Sequence, residues 1–229
     1  MNFLDYIVNL VYPPRCAVCT EIMEMGISGN LCCECREKYE NNKGIIVKYL
    51  GDSAVKNTTN LTRGYSVFEY GDVKSSIEHF KFKGFKNDGI ALGEIMYTVA
   101  EKNFPYILQD ANIIVPVPVH RRRFKERGFN QSEVLAQRLA EFSGKMCCYN
   151  AIKRVRYTAP QSGLHPDQRL INIKNAFEIN KDFDVAGKKI LLIDDIFTTG
   201  ATINECAGIL RNSGAEQVDF FTLSVALLK

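Results

Sequence analysis

The segment that most constrains the fold is an apolar run, Ile190 to Ile193, that ends at two adjacent carboxylates, Asp194 and Asp195. The run has no polar alternation, which is typical of a strand buried on both faces of a parallel sheet. Ligands of such sheets bind outside the carboxyl ends of the strands. The sequence therefore predicts an α/β fold with a binding site directly after Ile193.

A turn and a helix follow the two carboxylates. Thr202 and Glu205 have the spacing of a capping box, and apolar residues continue at helical spacing until Gly214 ends the helix. We expect the turn to bind an anion through backbone amides that have no partner within the helix. The two carboxylates can accept hydrogen bonds from neutral sugar hydroxyls beside that anion. This combination predicts a ribose 5-phosphate site, and its turn comprises Thr198, Thr199, Gly200, Ala201 and Thr202.

An apolar strand followed by Asp-Asp and Thr-Thr-Gly-x-Thr resembles the signature of type I phosphoribosyltransferases, which bind 5-phosphoribosyl-1-diphosphate. The alternative without a ligand is a capped crossover helix, with Asp194 and Asp195 only holding a loop in place. A P-loop nucleotide site does not fit, because the sequence has no Gly-x-x-x-x-Gly-Lys-Ser/Thr and Gly187–Lys188–Lys189 precedes the strand.

A second apolar run, residues 113–119, leads into a strongly basic segment. Five Arg and Lys residues lie within residues 120–127, and Asn130 with Glu133 can cap the helix that follows. Because strand carboxyl ends of one parallel sheet face one crevice, we expect this basic loop opposite the Asp-Asp turn, where it could hold a diphosphate. Taken alone, the segment is equally typical of a solvated face or a nucleic-acid patch.

A polar segment runs from Arg154 to Asn172 and contains Arg156 and Arg169. Long segments without periodicity of their own are often lids or binding loops. Simple disorder is the alternative. We interpret the segment as a lid.

The cysteines are concentrated near the start of the chain. Cys16-x2-Cys19 and Cys32-x2-Cys35 form two pairs that can direct four thiolates to one tetrahedral zinc. Disulfides and iron are the alternatives. Cys33 competes with Cys32 as a ligand, and we choose Cys32 because it keeps the x2 spacing. Four thiolates close the coordination sphere, which predicts a structural ion.

At 229 residues the chain is long enough for a large domain and a small one. Its 29 basic and 26 acidic side chains nearly balance, so overall charge does not predict nucleic-acid binding. Met1 to Tyr12 is apolar, lacks a basic start and is too short to span a bilayer, which predicts a cytoplasmic protein with a short helix packed on the fold. Contact with the inner face of the membrane is the alternative. We place the domain boundary near Asn60, giving a helix and zinc-finger module (1–60) and a main domain (61–229).

Three segments, HRRRFKERGFNQ, RVRYTAPQSGLHPDQRLIN and IDDIFTTGAT, behind a four-cysteine finger, are similar to the ComF family of phosphoribosyltransferase-like proteins. The resemblance implies the type I phosphoribosyltransferase fold, a partly helical hood and an N-terminal zinc module. It assigns Asp194 and Asp195 to the ribose hydroxyls and Thr198 to Thr202 to the 5-phosphate. It assigns Val119, His120 and Arg121 to the diphosphate, and Arg154 to Arg169, including Arg156, to the lid.

The activity implied by this resemblance is a Mg²⁺-dependent phosphoribosyl transfer. Diphosphate would leave C1 of the sugar through a transition state with oxocarbenium character, with Mg²⁺ between the ribose hydroxyls and the diphosphate. The sequence does not identify the acceptor. The family's biology implies a role in DNA uptake during natural transformation. The alternative is a non-catalytic adaptor that binds single-stranded DNA or proteins of the uptake machinery.

Overall fold

A computed structural model describes residues 10, 13–24, 31–40, 48–49, 60–81, 86–159 and 165–226. The helix expected at the start of the chain lies almost entirely outside these residues. No helix within them has the length and apolar character needed to cross a membrane.

The helices of the described residues alternate with strands through most of the chain. They are α1 (Cys33–Glu40), α2 (Tyr70–Phe80), α3 (Lys86–Asn103), α4 (Tyr106–Asp110), α5 (Arg121–Arg127), α6 (Gln131–Ser143), α7 (Pro166–Ile173) and α8 (Ala201–Asn212). The strands are β1 (Lys48–Tyr49), β2 (Gly64–Glu69), β3 (Ile113–Pro116), β4 (Met146–Cys147), β5 (Ile152–Arg154), β6 (Phe177–Ile179), β7 (Lys189–Phe197) and β8 (Gln217–Val225).

Six strands form one sheet in the order β1-β2-β8-β7-β3-β4. β1 is antiparallel to β2, and the other pairings are parallel. The apolar run at the start of β7 is fully buried in the middle of this sheet: Leu191 and Ile193 belong to one apolar core, and Ile190 and Leu192 to a second. The first core contains Leu135 of α6, whereas the second includes α8, so helices cover both faces. The predicted parallel sheet flanked by helices is confirmed.

The basic segment after β3 is a helix, so the expectation of a loop was wrong. A ring nitrogen of His120 accepts a hydrogen bond from the backbone N–H of Arg122 at 3.2 Å and caps the start of α5. Gly128, at φ 86°, ends the helix in the left-handed conformation, and its N–H donates to the carbonyl of Phe124 at 2.7 Å. These two caps stabilise a short helix. The high charge of the segment alone does not predict a helix.

The polar segment expected to be a loop also contains a helix, α7. Pro166 occupies its first turn, where the fixed φ of proline favours a helix, and the backbone N–H of His165 donates to Oε1 of Gln168 at 3.2 Å. β5 and β6 pair antiparallel beside it, with Arg154 opposite Phe177. We call β5, α7 and β6, with the described residues 155–159, 165 and 174–176 between them, the hood.

The described part of the cysteine module packs against α2. Cys16, Val18 and Cys35 are buried in the same apolar core as Ile77 of α2. The hydroxyl of Ser76, also on α2, donates a hydrogen bond to the carbonyl of Val18. The cysteine module and the main domain therefore share a core.

Candidate functional site

A cavity of about 640 Å³ opens where β3 and β7 end. Its walls come from α2, from the chain after β3, from α5 and the start of α6, from the hood, and from the end of β7. The structure thereby brings together six of the predicted site residues, namely Val119, Arg154, Asp194, Asp195, Thr198 and Thr202.

Asp194 is held at the wall of this cavity by two donors. Its Oδ1 accepts from the hydroxyl of Ser132 at 2.8 Å and from the backbone N–H of Asp195 at 3.0 Å. Burial, reinforced by the neighbouring charge of Asp195, raises the pKa of Asp194 to about 8. Burial therefore favours the protonated form of Asp194 relative to an exposed carboxyl. A bound cation would favour its ionised form.

The turn after β7 differs in one detail from the predicted capping. The helix begins at Ala201 with Gly200 as its N-cap, at φ 75°, so the expected cap at Thr202 was wrong. Glycine allows the left-handed backbone that this tight turn requires. Glu205 instead accepts from the backbone N–H of Asn175 at 2.7 Å and ties α8 to the hood.

The same turn borders a small recess next to Asp194. The recess has a volume of about 20 Å³, and its lining includes Thr198, Gly200, Ala201 and Thr202. Thr199 lies behind it, with Oγ1 accepting from the backbone N–H of Ala201 at 3.4 Å. The start of a 12-residue helix faces this recess, which favours a bound anion.

Six of the twelve predicted residues of this site do not line the large cavity, namely Thr199, Gly200 and Ala201 of the turn just described, and His120, Arg121 and Arg156. Arg156 donates to the carbonyls of Asn172 at 2.9 Å and Lys174 at 2.6 Å and so holds the end of α7. His120 caps α5, and Arg121 is exposed in its first turn. Arg156 and His120 thus stabilise helices that border the cavity, whereas Arg121 faces solvent.

Sequence reasoning missed one whole wall of the cavity, on α2. Tyr70, Lys74, Glu78 and Lys81 all line it. Their spacings of four, four and three residues put them on one side of the helix, away from the buried Ser76, so the signal was present in the sequence. On the other walls, sequence reasoning missed Gln131 and Ser132, whereas Arg123 and Arg127 belong to the predicted basic segment, and Tyr157 and Arg169 to the segment interpreted as a lid.

The lining is richer in cations than in anions. The cations are Lys74, Lys81, Arg123, Arg127, Arg154 and Arg169, and the anions are Glu78, Glu126, Asp194 and Asp195. Such a cavity suits an anionic ligand that also carries hydroxyl groups for the paired carboxylates.

The four predicted metal ligands lie together in the cysteine module. The sulfurs of Cys16, Cys19, Cys32 and Cys35 are all within 4.8 Å of one another. Sγ of Cys19 is 3.8 Å from Sγ of Cys32, the separation expected when two thiolates bind one tetrahedral zinc at about 2.3 Å. Partial desolvation, together with the neighbouring thiols of Cys16 and Cys32, raises the pKa of Cys19 to about 11, and a bound cation would lower it. The cluster can therefore bind a metal.

Cys33 lies outside this cluster. It is exposed, whereas the backbone N–H of Cys35 donates to the sulfur of Cys32 at 3.4 Å. The geometry favours Cys32 over Cys33 as the ligand.

Comparison with known proteins gives relatives along most of the chain. Competence protein F of Haemophilus influenzae is 33% identical over 153 residues, which cover 66% of this chain and 66% of that protein. DNA utilization protein YhgH of Salmonella typhimurium is 41% identical over 116 residues, covering 51% of this chain and 50% of that protein. The chain thus matches between half and two thirds of the length of these proteins. Competence protein ComFC of Bacillus subtilis is 29% identical over 217 residues, which cover 84% of this chain and 83% of that protein.

Two solved structures illustrate the similarity at low identity. Glutamine phosphoribosylpyrophosphate amidotransferase from B. subtilis has a TM-score of 0.41 and 19% identity, covering 60% of this chain and 27% of that one. Adenine phosphoribosyltransferase from Leishmania tarentolae has a TM-score of 0.38 and 12% identity, and the match covers 82% of this chain and 87% of that one.

Residues 125–225 match the family described as phosphoribosyl transferase domain. This segment includes β7, the turn after it and α8. With the parallel sheet flanked by helices, the match establishes the predicted type I phosphoribosyltransferase fold. Together with the named relatives, these observations show that the chain belongs to the ComF family of phosphoribosyltransferase-like proteins.

Proposed function

We propose that this protein binds 5-phosphoribosyl-1-diphosphate with Mg²⁺ in the cavity at the end of β7. The observation that carries the proposal is the pairing of Asp194 and Asp195 with the turn that begins α8, within one cation-rich cavity. The carboxylates accept hydrogen bonds from the ribose hydroxyls, and the amides and hydroxyls of residues 198–202 bind the 5-phosphate.

The chemistry that the cavity supports best is displacement of diphosphate from C1 of the sugar by an acceptor. Mg²⁺, when bound, neutralises charge on the leaving diphosphate, and Asp194 and Asp195 are the residues that would hold it. Cations of the lining stabilise the same developing charge, with Val119, His120 and Arg121 forming the wall beside the diphosphate. The hood, with Arg154 in the cavity and Arg156 bracing α7, limits access of water.

We further propose that the protein acts in DNA uptake. This proposal is supported by the names of three relatives, Competence protein F, ComFC and DNA utilization protein YhgH. Single-stranded DNA and proteins of the uptake machinery are the corresponding partners. A cytoplasmic position is part of the same proposal, with contact at the inner face of the membrane as the alternative. The division into modules 1–60 and 61–229 also belongs to the proposal.

Titration of the full chain with 5-phosphoribosyl-1-diphosphate tests the ligand directly. We expect binding that requires Mg²⁺ and that tightens as the pH rises through about 8, because Asp194 must lose its proton to bind a cation. Isothermal titration calorimetry with and without Mg²⁺, repeated across this pH range, measures both effects. Absence of binding in the presence of Mg²⁺ would reject the proposal.

A second candidate, an adaptor for single-stranded nucleic acid, is favoured by the exposed surface of α5. Phe124 is 44% exposed, and the guanidinium of Arg122 lies 4.8 Å from the ring centre of Tyr157, which is 39% exposed. Bases stack on exposed aromatic rings, and neighbouring cations bind the phosphates.

Salt dependence tests this second function. Replacing Arg121, Arg122 and Lys125 by Ala should reduce the slope of log K against log salt for a single-stranded oligonucleotide by about 2. Fluorescence anisotropy at several salt concentrations measures that slope. The charge-matched control replaces three lysines elsewhere by Ala, namely Lys102, Lys153 and Lys181. Equal slopes in the two triple variants would exclude α5 as the nucleic-acid surface.

A further inference from the structure

Gln131, the first residue of α6, presents an unpaired amide to the cavity. Its side chain lines the cavity, yet the residue is only 2% exposed. Within the described part of the chain, its Nε2 has no hydrogen-bond partner. A buried donor without an acceptor costs free energy, so this amide is suited to a ligand that supplies an acceptor oxygen.

Arg127 fixes the orientation of this amide. Nη1 of Arg127 donates to Oε1 of Gln131 at 2.8 Å. A guanidinium has donors only, so Oε1 must face Arg127 and the NH₂ group must face away from it. The contact with Arg127 therefore determines which end of the amide is the oxygen, and it leaves the NH₂ group as the donor without a partner.

The surroundings of Gln131 favour an anion as that ligand. Arg127 is itself part of the cavity wall and has further N–H donors beside those used on Gln131. Lys74 of α2 and Lys81, the residue that follows α2, line the same cavity. Gln131 lies at the positive end of a 13-residue helix. An amide and a guanidinium side by side match two oxygens of one phosphate group.

We infer that Arg127 and Gln131 form an oxyanion subsite at the junction of α5 and α6, and that it takes the diphosphate of the sugar donor. This inference rests on the proposed function for the identity of its occupant. Of the residues first assigned to the diphosphate, His120 and Arg121 do not line the cavity. Arg127 and Gln131 do line it, and the inference adds them to the diphosphate site. The amide of Gln131 is neutral, so it can bind the anion without forming an ion pair with Asp194 or Asp195. The two carboxylates remain available to the sugar hydroxyls.

Two probes that each represent half of the donor test the subsite, inorganic pyrophosphate and ribose 5-phosphate, both with Mg²⁺. Gln131→Met removes the amide at similar volume and should weaken pyrophosphate binding at least about tenfold, because hydrogen bonds to charged groups are the stronger class. Ribose 5-phosphate binding should stay unchanged. The matched control is Gln137→Met on the exposed face of the same helix, where the amide donates to Glu141 at 2.9 Å.

Gln131→Glu is the second variant. It keeps an oxygen for Arg127 but places a negative charge in the subsite, so it should weaken pyrophosphate binding more than Gln131→Met does. If Gln131→Met fails to fold, pyrophosphate binding by Gln131→Glu still tests the subsite.

The outcomes separate this inference from the proposed function. Wild-type affinity for pyrophosphate in both Gln131 variants would overturn the subsite, as would equal weakening of both probes, which indicates general damage to the cavity. If ribose 5-phosphate does not bind the unmodified protein while pyrophosphate binding depends on Gln131, the proposed donor fails and the oxyanion subsite stands.

Discussion

Replacing both Asp194 and Asp195 by Asn is expected to abolish Mg²⁺-dependent binding of 5-phosphoribosyl-1-diphosphate and any release of diphosphate from it. Asn keeps the shape of each side chain but removes the negative charge that a cation needs. Charge-assisted hydrogen bonds are worth about 1.5–3 kcal/mol each, so loss of two should weaken binding at least about 100-fold. Calorimetry and a diphosphate-release assay measure the two effects.

The double variant should remain folded, which makes the result interpretable. Burial and the charge of Asp195 already disfavour the Asp194 carboxylate, and a neutral amide relieves both penalties. The control makes the same two substitutions at exposed carboxylates, Asp182 and Asp184. Undiminished Mg²⁺-dependent binding in the Asp194/Asp195 variant would remove the basis of the proposed function.

The four clustered thiols predict a structural zinc, and removal of that ion should lower the stability of the whole chain. Structural zinc contributes about 10 kcal/mol to small finger peptides. Here the module shares a core with α2, so unfolding of the module exposes apolar surface of the main domain as well. We expect Cys16→Ser, or treatment with a chelator, to lower the thermal unfolding temperature and to release one zinc per chain. Metal analysis and calorimetry check this result.

Cys33→Ser is the matched control for that experiment, because Cys33 is exposed and stands next to a proposed ligand. It should retain the metal and the unfolding temperature of the unmodified protein, whereas Cys32→Ser should lose both. The reverse pattern would move the fourth ligand to Cys33. Protein that contains no metal and is insensitive to chelation would contradict a structural ion.

The centre of the fold was predictable because its signals are local. The apolar run that ends at Asp194 is buried on both faces, as expected of a strand that needs no solvent-facing side chains. Asn130 caps α6 as its type and position predict, since its Oδ1 accepts from the backbone N–H of Ser132 at 3.2 Å. Such features depend on residues within one or two turns of each other.

The walls of the cavity were harder to predict because they depend on packing between distant segments. Arg156 looks like a binding residue in the sequence, but carbonyls of the α7 end already occupy its guanidinium. Gln131 looks like an ordinary first residue of a helix until burial and the contact with Arg127 are known. Tertiary contacts thus decide which polar side chains remain available to a ligand.

The position of α2 between the cysteine module and the cavity has a thermodynamic consequence. One face of this helix holds Ser76, which donates to the carbonyl of Val18, and the other face holds Lys74 and Lys81. A ligand that fixes the lysines also restrains the helix on which the module rests. By reciprocity, any coupling that α2 carries between a ligand of the cavity and a metal of the module must change both affinities by the same factor.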